Sequence, residues 1–127
     1  MRRHLLLFMI AALAACTQPI HTSAPRPEHG TITRRQIDGI TASTALDVVS
    51  RFRSDALRAK PPVSIFLDPH PYAVVFLDAQ YYGPIDALQN VPAEWIEEIR
   101  IYDDIEAAHR FGRRYAGGVI QLVSRRR

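Results

Sequence analysis

Length, composition and charge bound what this chain can be. It has 127 residues, of which 47% are hydrophobic and 23% charged, and its formal net charge at pH 7 is +3. A chain of this length forms one domain at most, with a core of modest size. Its single cysteine excludes an internal disulfide bond.

The first fifteen residues have the pattern of an export signal. Basic Arg2 and Arg3 precede an apolar run, Leu5 to Ala15, that is too short to span a bilayer. Small residues stand just before the cysteine that follows. We therefore predict that residues 1–15 are a signal peptide.

The residues around the cysteine indicate a membrane anchor. The segment Leu13-Ala14-Ala15-Cys16 resembles the lipobox of bacterial lipoproteins, in which the cysteine sulfur receives a diacylglycerol and the chain is cut just before it. The resemblance implies that Cys16 is lipidated, and several acyl chains on one residue anchor a protein durably. Thr17 in place of Asp implies the outer membrane of a Gram-negative cell, with the protein facing the periplasm. An ordinary signal peptide followed by an unmodified cysteine is the alternative.

Cleavage before the cysteine would change the charge and leave a tether. It removes 15 of the 127 residues, leaves 112, and lowers the formal charge from +3 to +1, so the basic balance of the whole chain does not indicate nucleic-acid binding. Residues 16–30 contain the cysteine, three prolines and few residues to bury. They predict a flexible tether with a reach of about 20–40 Å, followed by a folded domain over residues 31–127.

The domain begins with a strand and a helix. At best a short edge strand precedes a turn at Asp38-Gly39. Apolar residues then recur with helical spacing over residues 45–56, and Thr44 before them is a suitable N-cap. The prolines at positions 61 and 62 are expected to end this helix.

Two β-rich segments and a short helix follow. Residues 63–67 and 73–77 are rich in branched and aromatic side chains and are bounded by prolines, which predicts neighbouring strands in a hairpin. Pro84 predicts the first position of a short helix that ends at residues 90–92.

The last elements are a strand, a helix and a second strand. Ile99 and Ile101 alternate with Arg100 and Tyr102, which predicts a half-buried strand. Capping signals at both ends predict a helix between residues 103 and 112. The apolar segment after it suits a central strand. The predicted fold class is α+β, a small single domain in which short helices surround one mixed sheet.

Several residues between positions 74 and 125 occur in a recognisable order. They are Asp78; Pro92; Ile96, Glu97, Ile99 and Ile101; Ala107, Phe111 and Gly112; and Gly117, Gly118, Val119 and Ile120. Their order and spacing resemble the second half of the plug domain of TonB-dependent outer-membrane receptors. The resemblance implies structural roles for Asp78, Gly112, Gly117 and Gly118. The glycine pair would let the backbone approach its neighbours closely.

The chain also departs from that family. It is too short to supply a barrel of many strands. Ala79 replaces the glycine that usually follows the aspartate, and Tyr102-Asp103 stands where Arg-Gly is common. We therefore expect a stand-alone plug-like domain and no transport activity.

An aromatic group is the main candidate for a binding surface. Tyr72, Tyr81 and Tyr82, together with His70, are candidates for contact with a partner or ligand, since exposed aromatic patches mark binding surfaces. Neighbouring residues on a strand point to opposite faces, so at least one ring of the Tyr81-Tyr82 pair should be exposed. Trp95 belongs to the same aromatic group, but it precedes a strand, so its interpretation as a residue that closes the core is preferred to exposure on a binding surface.

The arginines near the end of the chain are the second candidate. Arg125, Arg126 and Arg127, with Arg113 and Arg114, form the densest positive charge. Guanidinium groups bind phosphates well, so contact with anionic lipid is one interpretation. A solvated end to a buried strand is the plainer one.

Metal binding and catalysis have little support. Asp68, His70 and Asp78 are competent cation ligands, but turn formation explains them, and helix capping explains the acidic residues 103–106. Neither a nucleophile motif nor a phosphate-binding loop is present in the sequence. We expect no metal, no cofactor and no enzymatic activity.

These patterns together predict a non-enzymatic interaction module, anchored in the outer membrane, whose partner is another envelope protein. An exported domain that binds a small ligand is the alternative. A concave pocket beside the tyrosines would favour the alternative.

Overall fold

A computed structural model of the chain describes residues 30–61 and 71–126. Several of the predictions above lie outside the described residues. They concern the signal peptide, Cys16, the strand at 63–67, Asp68, His70 and Arg127.

Residues 30–61 and 71–126 form one five-stranded sheet with three α-helices and four short 3₁₀ helices. The strands are β1 (Thr31–Thr33), β2 (Val74–Leu77), β3 (Gln80–Pro84), β4 (Ile96–Tyr102) and β5 (Val119–Ser124). The α-helices are α1 (Arg34–Asp38), α2 (Ala45–Phe52) and α3 (Asp104–Phe111). The 3₁₀ helices are Ser54–Leu57, Ile85–Asn90, Ala93–Trp95 and Arg113–Tyr115.

The sheet is mixed, which confirms the predicted α+β class. The strand order is β1-β4-β5-β2-β3. The β2–β5 pair is parallel and the other three pairs are antiparallel. β5 therefore lies at the centre, as its continuous apolar sequence predicts.

Helix α2 begins where the sequence indicates and ends earlier. The Thr44 hydroxyl accepts a hydrogen bond from the Asp47 N–H at 3.3 Å, and the Asp47 carboxylate accepts one from the Thr44 N–H at 2.9 Å. The expected end at the prolines is wrong. Arg53 leaves the helical region with φ −144° and ψ 56°, and its side chain pairs with Asp55 at 3.0 Å, so the chain continues as a 3₁₀ helix.

Helix α1 was not predicted, although its start carries a signal. Thr33 and Gln36 form a capping box at its first turn. At α3, the Asp103 carboxylate accepts a hydrogen bond from the Glu106 N–H at 2.8 Å. Gly112 ends that helix with φ +109°, a conformation that favours glycine.

β3 forms a hairpin with β2, whereas the hairpin partner predicted at 63–67 lies outside the described residues. β3 was not predicted because its last two residues, Gly83 and Pro84, are typical of a turn. Pro84 is the last residue of this strand, and the predicted short helix is the 3₁₀ helix Ile85–Asn90 that begins one residue later.

Apolar residues fill both faces of the sheet. The larger cluster lies under α1, α2 and the 3₁₀ helix Ile85–Asn90, and includes Val48, Val75, Leu88, Ile99, Ile120 and Leu122. The smaller cluster lies under α3 and comprises Val74, Phe76, Tyr102, Ala107 and Val119. Tyr102 is 6% exposed, so the half-buried interpretation of β4 is wrong at this end, where α3 covers the second face.

Gly118 allows a close approach between backbones. Its φ is +105°, and a Cβ atom there would lie 3.1 Å from the Tyr102 carbonyl oxygen. This is the role expected of the glycine pair, and Gly117 beside it is buried.

Candidate functional site

Three exposed tyrosines lie at the β2–β3 edge of the sheet. Tyr72, Tyr81 and Tyr82 are 47%, 55% and 43% exposed, and we call them the tyrosine surface. Tyr81 and Tyr82 belong to β3, the outermost strand, and Tyr72 precedes β2. His70, the fourth residue predicted for this surface, lies outside the described residues.

A β-bulge explains why neighbouring rings are both exposed. Phe76 pairs with Tyr81 and Val75 pairs with Gly83, so Tyr82 is the extra residue on β3. The bulge breaks the alternation of side chains along the strand. Tyr81 packs edge-on against Phe76, with ring centroids 5.9 Å apart, and this contact fixes one ring of the surface.

A pocket of about 470 Å³ lies beside two of these tyrosines. It is lined by Leu57, Pro71, Tyr72, Ala73, Val74, Tyr81, Pro84, Ile85 and Asp86. The lining is mostly apolar, and Asp86 supplies the carboxylate. Tyr82 is not one of the lining residues, so the pocket and the tyrosine surface overlap only in part.

Asp78 holds the turn that connects β2 to β3. Its carboxylate accepts hydrogen bonds from the Ser124 N–H at 2.8 Å and from the Ser124 hydroxyl at 2.9 Å. Its φ is +55°, so the left-handed residue of the turn is Asp78. Ala79 has no positive φ, so the glycine that it replaces is not needed here.

Trp95 is exposed, contrary to its interpretation as a core residue. Its exposed fraction is 55%, whereas Ala93, two residues earlier, and Ile96, directly after it, are 3% and 1% exposed. The 3₁₀ turn at 93–95 directs Ala93 and Ile96 into the core, so Glu94 and the indole remain outside. The exposure could not be predicted because a tight turn follows neither a helical nor a strand period.

Trp95 contributes to a broad surface cleft at one end of the sheet. The cleft has a volume of about 790 Å³ and is lined by Glu94, Trp95, Ser124, Arg125 and Arg126. We call these five residues the Trp95 cleft. Two of the three arginines predicted as a charged group therefore lie beside an exposed aromatic ring.

Hydrogen bonds from three parts of the chain hold the backbone around Trp95. The Ala93 N–H donates to the Ser43 carbonyl at 3.0 Å, and the Arg125 N–H donates to the Trp95 carbonyl at 2.8 Å. The Arg34 guanidinium donates to the carbonyls of Ala93 at 2.9 Å and Ile96 at 2.6 Å. The exposed indole therefore projects from a rigid turn.

Arg34 also bonds to an aspartate one turn along α1. Its guanidinium donates to the Asp38 carboxylate, and this hydrogen bond lowers the pKa of Asp38 below its ordinary value of 3.8. The Arg34 side chain therefore stabilises the turn, and it is not among the residues that line the cleft.

The terminal arginines and Arg113-Arg114 lie in different places. Arg113 and Arg114 follow α3, and Arg114 stacks 5.4 Å from the centre of the Tyr115 ring. Arg125 lies 3.9 Å from the Glu97 carboxylate at the opposite end of β4. The arginines that the sequence suggests as one positive group therefore form two separate groups in the structure.

Within the described part of the chain, no group of three or more histidine, cysteine, aspartate or glutamate residues is arranged to hold a metal ion. The Asp78 carboxylate, one of the ligands considered from sequence, binds Ser124. None of the described helices is both long enough and apolar enough to cross a membrane.

Comparisons of the chain with protein-family models, with curated proteins and with solved structures find no significant match. The resemblances to the lipobox and to the plug domain therefore rest on the residues quoted for them.

Proposed function

We propose that this chain is a non-enzymatic protein-interaction module of the bacterial cell envelope, anchored in the outer membrane through lipidated Cys16 and facing the periplasm. The tyrosine surface is the observation that carries the interaction half of the proposal. The lipobox-like segment supports the anchor.

The tyrosine surface has the properties of a protein-binding patch. Tyrosine combines a large apolar ring with a hydroxyl group and loses little conformational entropy when it is covered, so it is enriched at interfaces. Here three such rings are about half exposed at one edge of a sheet. The neighbouring turn is held by Asp78 and Ser124, so the surface stands on a fixed hairpin.

The domain itself is proposed to be a stand-alone plug-like domain. The positions that carry the resemblance have conformations that explain their residue types. Asp78 and Gly112 both adopt positive φ, and Gly118 permits a close backbone approach. These are structural roles, and no transport activity is proposed.

Fatty-acid labelling tests the anchor. We expect the wild-type protein to incorporate labelled palmitate and to fractionate with the outer membrane, because the acyl chains hold it there. The Cys16→Ala variant should lose both the label and the membrane fraction. Equal labelling and fractionation of the two proteins would show that the anchor is wrong.

Cross-linking in intact cells tests the surface. A photoreactive phenylalanine analogue at position 82 should capture a specific envelope protein, and Tyr81→Ala should reduce that capture. Ile105, 76% exposed on α3, is the matched control position, where the same analogue should not capture the same protein. Identical cross-links at positions 82 and 105 would count against a specific surface.

The pocket supports a second candidate function, the binding of a small ligand. Its volume of about 470 Å³ falls within the usual range for ligand sites, and its lining is mostly apolar. Ile85→Trp would fill the pocket, whereas Tyr82→Ala alters only the surface. If Ile85→Trp reproduces the phenotype of a gene deletion and Tyr82→Ala does not, ligand binding is better supported than protein interaction.

A further inference from the structure

The Trp95 cleft combines an exposed aromatic ring on a held backbone turn with free positive charge. Trp95 is 55% exposed, although Ala93 in the same turn and Ile96 directly after it are buried. The turn is held by backbone hydrogen bonds to Ser43 and Arg125. An exposed tryptophan on an ordered backbone offers a large apolar area with only two side-chain torsions to restrict, which is the property of a binding hot spot.

The charges around the ring favour a peptide over a phosphate surface. Arg125 forms an ion pair with Glu97, with 3.9 Å between Arg125 Nε and Glu97 Oε2. Arg126 makes no ion pair with any of the described residues, and it is exposed. Glu94 also lines the cleft, and its carboxylate accepts hydrogen bonds from N–H donors but repels any anionic group placed against it. A peptide offers both carboxylates and N–H donors, so it can satisfy the arginine and the glutamate together.

The cleft and the point where the chain enters the domain lie at opposite ends of β4. The chain enters the domain at Gly30, whose carbonyl accepts a hydrogen bond from the Ile101 N–H at 3.0 Å. Trp95 precedes Ile96, at the other end of β4. The five steps from Ile96 to Ile101 span about 16 Å at the rise of a strand. A tether of the predicted reach can present either end of the domain to the membrane, so the vesicle control below tests lipid contact directly.

From these observations we infer that the Trp95 cleft is a docking site for an acidic peptide segment of a partner protein. An apolar side chain of the segment packs against the Trp95 indole, and one of its carboxylates pairs with the Arg126 guanidinium. This inference rests on the proposed interaction function and adds to it a second surface with a defined partner chemistry.

The chain provides its own probe for this site. Trp95 is its only tryptophan, so intrinsic tryptophan fluorescence of the full-length protein reports the cleft alone. We would reconstitute the full-length protein in neutral phosphatidylcholine vesicles. The titrant is a short peptide in which Asp and Glu alternate with Leu and Phe. A second peptide with Asn and Gln in place of the acidic residues is the matched titrant.

The acidic peptide should shift Trp95 emission to shorter wavelength, because it removes water from the indole. The amide peptide should bind at least about fivefold more weakly. Arg126→Ala should weaken the binding of the acidic peptide by a similar factor. Arg113→Ala, which removes an exposed arginine after α3, should leave the affinity unchanged. Binding should weaken when salt rises from about 50 to 300 mM.

Three outcomes would overturn the inference. They are equal binding of the two peptides, equal effects of the two arginine variants, and the absence of any shift with the acidic peptide. A shift caused instead by vesicles that contain anionic phosphatidylglycerol, without peptide, would assign the cleft to lipid. Palmitate labelling of Cys16 in the same preparation keeps the tests separate, because the anchor can be present while the cleft fails to bind the peptide.

Discussion

Asp78 connects the turn of one hairpin to the end of the central strand. Its carboxylate accepts two hydrogen bonds from Ser124, and its own N–H donates to the Leu122 carbonyl at 2.7 Å. Its φ of +55° is one that Asp and Asn tolerate better than other side chains. The hydrogen bonds of the side chain and the conformation of the backbone therefore both favour aspartate at position 78.

We expect Asp78→Ala to lower the free energy of unfolding by about 1–3 kcal/mol, because it removes two hydrogen bonds to a carboxylate and places alanine at positive φ. Asp78→Asn should cost less, since Asn keeps an acceptor oxygen and tolerates the backbone. Urea unfolding of both variants measures the difference. If Asp78→Ala is as stable as the wild type, the turn is not held as described.

The partner of Asp78 could not be predicted from the sequence, because Ser124 lies far along the chain and the contact depends on the parallel pairing of β2 with β5. The exposure of Trp95 was missed for a similar reason. Which residue of a 3₁₀ turn faces the core depends on the layers around it. The exposure of at least one ring of Tyr81-Tyr82 could be predicted, in contrast, because neighbouring residues of an extended segment point to opposite faces. That both rings are exposed depends on the bulge, which the sequence does not indicate.

At the scale of elements, local signals predicted helix starts well and helix ends less well. The N-caps Thr44 and Asp103 act through neighbours three residues away, so the sequence alone contains the information. The end of α2 at Phe52 carries no glycine or proline signal, although the backbone leaves the helical region at Arg53. β3 was missed because pairing with β2 overrides the weak strand propensity of its glycine and proline.

The N-cap of α2 gives the domain a defined acid sensitivity. Hydrogen bonds from the N–H groups of Thr44 and then Ser43 lower the pKa of Asp47 below its ordinary value of 3.8. A carboxyl whose pKa is lower in the folded state contributes stability above its unfolded pKa and loses it as the pH falls through the folded pKa. Asp47→Asn should therefore destabilise the domain near neutral pH, and the difference from wild type should shrink as the pH falls below the ordinary carboxyl pKa of 3.8.

Unfolding by urea at several pH values measures this dependence. Asp86→Asn is the matched control, since Asp86 is an exposed aspartate in the first turn of a 3₁₀ helix and no hydrogen bond to its carboxylate occurs among the described residues. If the difference in the free energy of unfolding between wild type and Asp47→Asn is the same at every pH, the ionised carboxylate is not what stabilises the cap.

At the scale of the whole molecule, the sheet is covered unequally. α1, α2 and the 3₁₀ helix Ile85–Asn90 cover one face, whereas α3 covers one end of the other. β1 closes the edge of the sheet beside β4 with three residue pairs, and Ile32 within it is 2% exposed. The domain therefore depends on a short strand close to the predicted tether.

Shortened chains test where the folded unit begins. A chain that starts at residue 30 should unfold at the same urea concentration as one that starts at residue 17, because the sequence of the predicted tether offers few residues to bury and Gly30 keeps its hydrogen bond to Ile101. A chain that starts at residue 34 loses β1 and the buried Ile32 side chain. Its free energy of unfolding should fall by about 2–5 kcal/mol, as for the deletion of a large aliphatic side chain from a core. If the chain from residue 30 is instead the less stable of the first two, residues 17–29 belong to the folded domain and the tether must be shorter than the sequence predicts.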